Sequence, residues 1–385
     1  MREIHAAGLE RSFRIRYAGS DLDATLEPLD PAAFVEAQAE LPADGVVGTK
    51  DRSALLASLI AERRGVPSPT LAALLACQHK PTSRARQQAV VPWAIPRFAV
   101  LDGRPPPFEA PFFVKPVVGR LSQNARRIDD VAQLDALRED EYPGLYEVIA
   151  ELAGLPTDDV HGFLAEELLE GSEVTLEGYS YDGRITTIGI TDSVKYPGTN
   201  SFERFEYPSR LDEERQAELV DLAERVVPAL GFDGGFFNVE LFVPEEGPAK
   251  LIEVNGRIAS QFAPLVRAVH GRSTYEAAFA LACGEDPRWR TGKADGVAMS
   301  YCLRTFEDAY VARVPEPEER LEVLVRPGLR LSEQGQNDAQ SYRLVIFYES
   351  GETREEVLAL CRARAASFSF ELLPVAKYAA PTSSA

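Results

Sequence analysis

The sequence predicts a protein of mixed α+β and α/β class, with more than one domain and much antiparallel sheet. A chain of 385 residues is too long for one hydrophobic core and suits two or three domains. Two strand–turn–strand patterns, around Asp182-Gly183 and around residues 244–248, predict antiparallel hairpins. Between them, residues 211–230 have the spacing of an amphipathic helix, with Gly231 behind it.

The first ninety residues predict a small α/β layer. Residues 13–17 and 45–48 have the pattern of short strands, and residues 53–64 carry leucine and isoleucine at helical spacing before Gly65. Neither GxGxxG nor GxxxxGK[ST] occurs in this stretch, so it is a weak candidate for an independent nucleotide site.

The rest of the chain is divided by the same alternation and capping signals. Strands are predicted at 97–101, 112–118, 163–169, 173–181, 184–192, 236–243, 249–255 and 342–348. Further helices are predicted from Asp129 or Asp130 to Arg138 and over 354–366, and the Ser/Thr/Ala tail is expected to be disordered. The chain is expected to divide into an N-terminal domain at 1–92, a central domain with subdomains at 93–168 and 169–296, and a C-terminal extension with the tail at 297–385.

Composition excludes several classes of protein. There are 41 Lys and Arg against 60 Asp and Glu, a net charge of −19, which argues against a nucleic-acid partner. The four cysteines form no CxxC pair and the four histidines no HExxH motif, so neither a disulfide framework nor a zinc site is predicted. No apolar run approaches the ~20 residues of a membrane span, and we expect a cytoplasmic protein with no membrane partner.

The second hairpin carries the clearest candidate site. Side chains alternate along strands, so Glu240 shares a face with Asn238, and Glu253 with Asn255. The short loop should bring Glu240 nearly opposite Glu253, while Val239, Leu241, Ile252 and Val254 should face the core. Facing like charges call for a cation between them, and Mg²⁺, or else Mn²⁺, suits two carboxylates and an amide oxygen. The alternative is a solvated outer face.

Here the sequence resembles a family. Glu240 followed by Leu-Ile-Glu-Val-Asn-Gly-Arg at 251–257 is similar to the metal-binding end of the ATP-grasp fold, which D-alanine–D-alanine ligase, biotin carboxylase and the L-amino-acid ligases share. The resemblance covers roughly residues 66–290, and it depends on the order and spacing of several motifs. It implies ATP as cofactor and an ATP-grasp fold with a short N-terminal α/β domain and a C-terminal α/β extension.

The resemblance also implies a set of nucleotide-binding residues. Lys80 and Lys115 match the two nucleotide-binding lysines, residues 163–171 match the hinge whose backbone contacts adenine, and Glu173 falls where the ribose is held. The hinge residues concerned are Glu166, Glu167, Leu168 and Leu169. An ammonium at the end of the apolar strand before Lys115 is costly unless an anion such as phosphate meets it. The alternatives are an exposed strand-end lysine, a surface lysine on a helix for Lys80, and a core strand with exposed glutamates.

Some features depart from the family pattern. The phosphate flap, usually rich in glycine and serine, here has one glycine, and Ser122, Gln123 and Asn124 are expected to replace some backbone contacts. Gly256 stands where proline is common. By the resemblance, Arg257 neutralises charge on the acyl phosphate and the tetrahedral intermediate.

Further substrate candidates come from a predicted loop between the first hairpin and the amphipathic helix. Lys195, Arg204 and Arg210 lie there, and they are candidates for binding substrate or phosphate if the loop is not simply solvated. Ser260 and Gln261 are expected to line the acceptor side.

These residues predict an ATP-dependent ligase that joins a carboxylate to an amine. The carboxylate would be phosphorylated by ATP, and the amine would displace phosphate from the acyl phosphate, with positioning and charge neutralisation as the main contributions. Residues 297–373 resemble the appended region of L-amino-acid ligases, which favours an amino acid or a small peptide as the acceptor. The carboxylate and amine substrates are expected to be amino acids, and a homodimer is one expectation for the assembly. The alternatives are a biotin-carboxylase-like enzyme acting on bicarbonate and a non-catalytic nucleotide-binding regulatory protein.

Overall fold

The computed structural model describes residues 2–17, 30–119, 124–138, 142–155, 160–290, 292, 294–316, 321–334 and 341–375. The α-helices are α1 Arg2–Ala6, α2 Pro31–Ala39, α3 Asp51–Arg64, α4 Leu71–Gln78, α5 Lys80–Val90, α6 Tyr142–Leu152, α7 Glu213–Ala229, α8 Ala263–His270, α9 Thr274–Ala282 and α10 Arg354–Ser367. The strands are β1 Phe98–Val100, β2 Phe112–Pro116, β3 Arg126–Ile128, β4 Phe163–Glu167, β5 Ser172–Tyr181, β6 Arg184–Lys195, β7 Phe202–Tyr207, β8 Gly235–Val243, β9 Lys250–Asn255, β10 Val297–Thr305, β11 Ala309–Arg313, β12 Leu321–Val323, β13 Tyr342–Gly351 and β14 Glu371–Pro374. In these residues no helix is long and apolar enough to cross a membrane.

In residues 2–17 and 30–97 the structure has helices and connecting segments but no strand, so the two strands predicted there are wrong. Residues 45–48 pair with no strand, and their glycines serve close packing instead. A Cβ at Gly45 would lie 2.5 Å from the Ala282 carbonyl oxygen, and one at Gly48 would lie 2.2 Å from the Ser53 oxygen. The predicted helix is confirmed as α3, and it ends at Gly65 with a φ of 65°, a left-handed conformation that glycine adopts without strain.

Two antiparallel sheets form the centre of the described structure. A smaller sheet has the order β1-β4-β2-β3, and a larger one has the order β12-β13-β10-β7-β6-β5-β8-β9. Both predicted hairpins are confirmed, as β5–β6 and β8–β9. The first turns through Asp182 and Gly183, with φ values of 49° and 72°, as a two-residue hairpin requires.

Three local expectations need correction. Lys195 is the last residue of β6, not part of a loop, and Arg204 lies on β7, a strand that the sequence did not predict. The helix expected up to Arg138 is a short 3-10 helix, Val131–Ala136. Of the two predicted capping residues, Asp130 is the one that caps it. The predicted disordered tail after residue 375 lies outside the described residues.

The β8–β9 hairpin has the predicted register around its carboxylates, with a bulge beside them. Glu240 lies opposite Glu253, but the next pair is Leu241 with Leu251, so β9 contributes one extra residue, Ile252. A bulge reverses the alternation on one side of itself. Leu251 is therefore fully buried in the core, whereas the expectation that Ile252 faces it is wrong.

Candidate active site

Two carboxylates and two amides meet on one face of the β8–β9 hairpin, where both amides are buried. The Asn255 Nδ2 donates to Asn238 Oδ1 at 3.0 Å, and it lies 3.2 Å from a Glu240 oxygen and 3.4 Å from a Glu253 oxygen. Burial raises the pKa of Glu240 well above its usual range, and the charges of Glu253 and Glu173 raise it further. The pair of glutamates is therefore short of positive charge in this structure.

The hydrogen bonds also orient the Asn255 amide. Asn238 Nδ2 donates to the Arg257 carbonyl oxygen at 3.0 Å, so its Oδ1 must accept from Asn255, and the Asn255 Oδ1 is left as an acceptor. Two carboxylates and an amide oxygen fit a hard divalent cation. In the described part of the chain there is no group of three or more His, Cys, Asp or Glu placed to hold a metal, so such an ion would need oxygens from a bound substrate as well.

A buried cluster of charges lies next to β9. The Lys115 Nζ is 2.7 Å from Glu166, and Arg84 donates to the two oxygens of Glu166 at 2.6 and 3.2 Å. Burial opposes ionisation of Glu166, but Arg84 and Lys115 outweigh it and lower its pKa to about 2. Two cations with one carboxylate leave a net positive charge in a buried position, which favours an anionic ligand.

This cluster contacts the hairpin through the bulge. The Ile252 carbonyl oxygen accepts from Arg84 at 2.6 Å and lies 3.5 Å from the Lys115 Nζ. Burial lowers the pKa of Lys115 to about 8, although Glu166 acts in the opposite direction. The predicted phosphate lysine and the predicted metal residues are thus neighbours across one residue of β9.

Glu173 and Lys195 pair at the end of the larger sheet. Their side chains are 2.9 Å apart, and the Lys195 ammonium also lies over the rings of Phe202 and Phe242 at 5.5 and 5.3 Å. Both residues line a cavity of about 400 Å³, together with Phe242. The cavity combines an aromatic wall with two charges of each sign, since Asp192 and Arg210 also line it, which suits a ligand with both apolar and polar parts.

Arg257 follows the hairpin and reaches the N-terminal region. Its Nε and a terminal nitrogen contact the two oxygens of Asp51 at 2.5 and 3.3 Å. Burial alone would lower the pKa of Arg257, but Asp51 reverses this, with smaller contributions from Glu240 and Glu253. The guanidinium is therefore fixed beside the carboxylate pair.

The remaining predicted residues are placed less centrally. Lys80 begins α5, half-buried, and is close enough to Lys115 to lower the pKa of that lysine further. Glu167 ends β4, with Leu168 and Leu169 half-buried beyond it. Ser122 and Gln123 lie outside the described residues.

The substrate candidates of the predicted loop have protein partners. Arg204 pairs with Glu203 and Glu206, and Arg210 pairs with Asp192. On the expected acceptor side, Ser260 accepts a hydrogen bond from Tyr275, while Gln261 is exposed.

Sequence reasoning missed three charged residues around the site: Asp51, Arg84 and Glu177. Arg84 stands four positions after Lys80 on α5, a helical spacing that could have indicated it. Glu177 is 1% exposed on β5, opposite Asn238, and its alternation with Glu173 was the available signal. Asp51 begins a helix, and nothing in its local sequence indicates a role in a site formed 206 positions away.

Comparison with known proteins agrees with this arrangement. Residues 108–264 match the family described as ATP-grasp domain. The chain therefore carries an ATP-grasp domain, and its overall fold is the ATP-grasp fold.

Two solved structures are similar to this chain over most of its length. The L-amino acid ligase from Bacillus licheniformis superposes with a TM-score of 0.71 at 19% identity, over 89% of this chain and 85% of that one. The biotin carboxylase from Campylobacter jejuni gives a TM-score of 0.62 at 14% identity, over 90% and 79%.

Curated relatives include carnosine synthase 1. The chicken protein (Gallus gallus) is 33% identical over 129 residues, and the human protein (Homo sapiens) is 25% identical over 272 residues. These matches cover 33% and 64% of this chain but only 14% and 31% of the relatives.

Proposed function

We propose that the protein is an ATP-dependent carboxylate–amine ligase that forms an amide bond through an acyl phosphate and releases ADP and phosphate. One observation carries the proposal: the carboxylate pair, the buried cations and Arg257 converge around a single hairpin. Phosphoryl transfer needs positioning and charge neutralisation more than a protein nucleophile, and these residues are suited to both.

ATP is the proposed cofactor, and different residues of the chain would bind its phosphates, its adenine and its ribose. Lys115 and Lys80 would bind phosphate oxygens, the backbone and side chains from Glu166 to Leu169 would form the adenine side, and Glu173 would accept from the ribose. The Glu166 carboxylate itself is held between Arg84 and Lys115, so we assign it to orienting Lys115. Lys195 would exchange its contact with Glu173 for substrate or phosphate.

Glu240, Glu253 and Asn255 would hold Mg²⁺, or Mn²⁺, which screens the charge of the terminal phosphates when bound. Arg257 would orient the carboxylate substrate and neutralise the oxyanion that develops when the amine attacks. Amino acids are the proposed carboxylate and amine, supported by the names of the relatives, L-amino acid ligase and carnosine synthase. We place the enzyme in the cytoplasm, and a homodimer is the assembly to test.

The test is a product assay with ATP, Mg²⁺, a mixture of the twenty amino acids, and hydroxylamine as amine. We expect hydroxamate to accumulate together with ADP, which also counts any amide formed with the amino acids, and an Arg257→Ala variant should lose hydroxamate far more than it loses ATP affinity. The matched control is Arg267→Ala, because Arg267 makes a similar two-point contact with Glu3 elsewhere. AMP as the stoichiometric product would overturn the proposal, and ADP release stimulated by bicarbonate alone would favour a carboxylase.

A further inference from the structure

The contact between Arg257 and Asp51 joins two parts of the chain that are far apart in sequence. Asp51 is the first residue of α3 in the N-terminal region, whereas Arg257 follows the hairpin that carries the carboxylate pair. Both oxygens of Asp51 face nitrogens of the guanidinium, at 2.5 and 3.3 Å. Such a two-point contact fixes the plane of the guanidinium as well as its position.

Asp51 is itself held by rigid surroundings. Its carbonyl oxygen accepts from the Gln78 side chain on α4 at 3.0 Å, and the following turns of α3 are buried, including Leu55 and Leu56 at 1% exposure. The backbone that carries the Asp51 carboxylate is therefore fixed in place, and the carboxylate in turn fixes the position of the Arg257 guanidinium.

The other anions near Arg257 are the residues of the carboxylate pair. Glu240 and Glu253 both act on the Arg257 charge, after Asp51. If Asp51 were neutral, the guanidinium would be drawn towards Glu240 and Glu253, where it would occupy the position that their cation should take.

We propose that Asp51 is a positioning residue: it holds Arg257 close to the carboxylate pair and prevents the guanidinium from pairing with Glu240 and Glu253. The N-terminal region thereby completes the active site. The inference rests on the proposed function, since it assigns Asp51 a role through Arg257. It predicts that loss of the Asp51 charge slows turnover without removing the nucleotide site.

The experiment measures hydroxamate and ADP formation with ATP, Mg²⁺, hydroxylamine and the twenty-amino-acid mixture. Asp51→Asn should lower kcat about tenfold or more, as expected for a misplaced charged group, while the KM for ATP stays within about twofold. Asp51→Glu should recover part of the rate, because a carboxylate is restored. Glu3→Gln is the matched control, since it removes a comparable contact to Arg267, and it should behave like the wild type.

A double-mutant cycle separates positioning from other roles. Asp51→Asn should have no further effect in an Arg257→Ala background, and Asp51→Ser, which keeps a residue suited to a helix start, should repeat the result if Asp51→Asn folds poorly. An unchanged kcat in a folded Asp51 variant, or an equal loss in both backgrounds, would overturn the inference. If Arg257→Ala alone leaves turnover unchanged, the proposed role of Arg257 fails instead.

Discussion

The Glu177→Gln variant is expected to gain stability over the wild type as pH rises from 5 to 8. Glu177 is 1% exposed, and neither carboxylate oxygen accepts a hydrogen bond of standard geometry from the described residues. Burial raises its pKa from 4.5 to about 8, which the nearby Ala259 N–H and the Arg257 charge only partly offset. Glutamine has nearly the same shape and no titration.

The magnitude follows from proton linkage. Between pH 4.5 and about 8, the folded protein keeps the Glu177 proton and the unfolded chain releases it, so the free energy of unfolding falls as pH rises. The slope is about 1.36 kcal/mol per pH unit, which over this window gives about 5 kcal/mol. Water entering around the ionised carboxylate would reduce that figure, so it is a ceiling.

The assay is urea denaturation of both proteins at each pH from 5 to 9, read as the difference in free energy of unfolding. Any fixed cost of the buried amide appears equally at every pH, so only the slope of the difference matters. Glu206→Gln is the control: burial raises the Glu206 pKa, but hydrogen bonds from Arg354 and Arg204 outweigh this and hold it below its usual range. Its stability difference should therefore stay level above pH 5. Parallel curves for the wild type and Glu177→Gln would refute the reasoning.

Two further predictions concern the nucleotide and the metal. Lys115→Ala should weaken Mg²⁺-ATP binding about ten- to a hundredfold in calorimetry, since a charge-assisted contact contributes roughly 1.5–3 kcal/mol, and Lys115→Arg should not fully restore it. Equal affinities would contradict the assignment. Lys250→Ala is the control, because it removes a half-buried lysine elsewhere on the hairpin. Glu253→Gln should abolish Mg²⁺-dependent turnover. It should leave the urea midpoint unchanged or higher, because it removes repulsion from Glu240 and opens no core cavity. Retained turnover would mean that the metal site lies elsewhere.

The sequence predicted the parts of the site that a single hairpin contains. Strand alternation and a short loop were sufficient to place Glu240 opposite Glu253, because both rules act over a few residues. They could not predict Asp51 or Arg84, whose partners Arg257 and Glu166 are 206 and 82 positions away. Contacts of that range depend on how finished elements pack, and no local pattern encodes them.

The missed strand β7 has a different cause. Its residues are Phe-Glu-Arg-Phe-Glu-Tyr. Charged side chains therefore fall on both faces, and the sequence lacks the hydrophobic pattern of a buried strand. In the structure, Glu206 is 1% exposed and is paired with Arg204 and with Arg354 of α10. Because its charged residues form buried ion pairs, this interior strand has the sequence pattern of a charged loop.

The bulge at Ile252 makes the hairpin unequally tolerant of changes in chain length. Residues 244–248 form an exposed connection, in which insertions between related sequences would alter little. Removal of one residue at 252 would restore the regular alternation. It would keep Glu240 opposite Glu253 and Leu241 opposite Leu251, but it would take away the carbonyl that Arg84 and Lys115 share. Among related chains, the spacing from residue 251 to residue 253 should therefore be kept, while the loop that precedes it is free to vary in length.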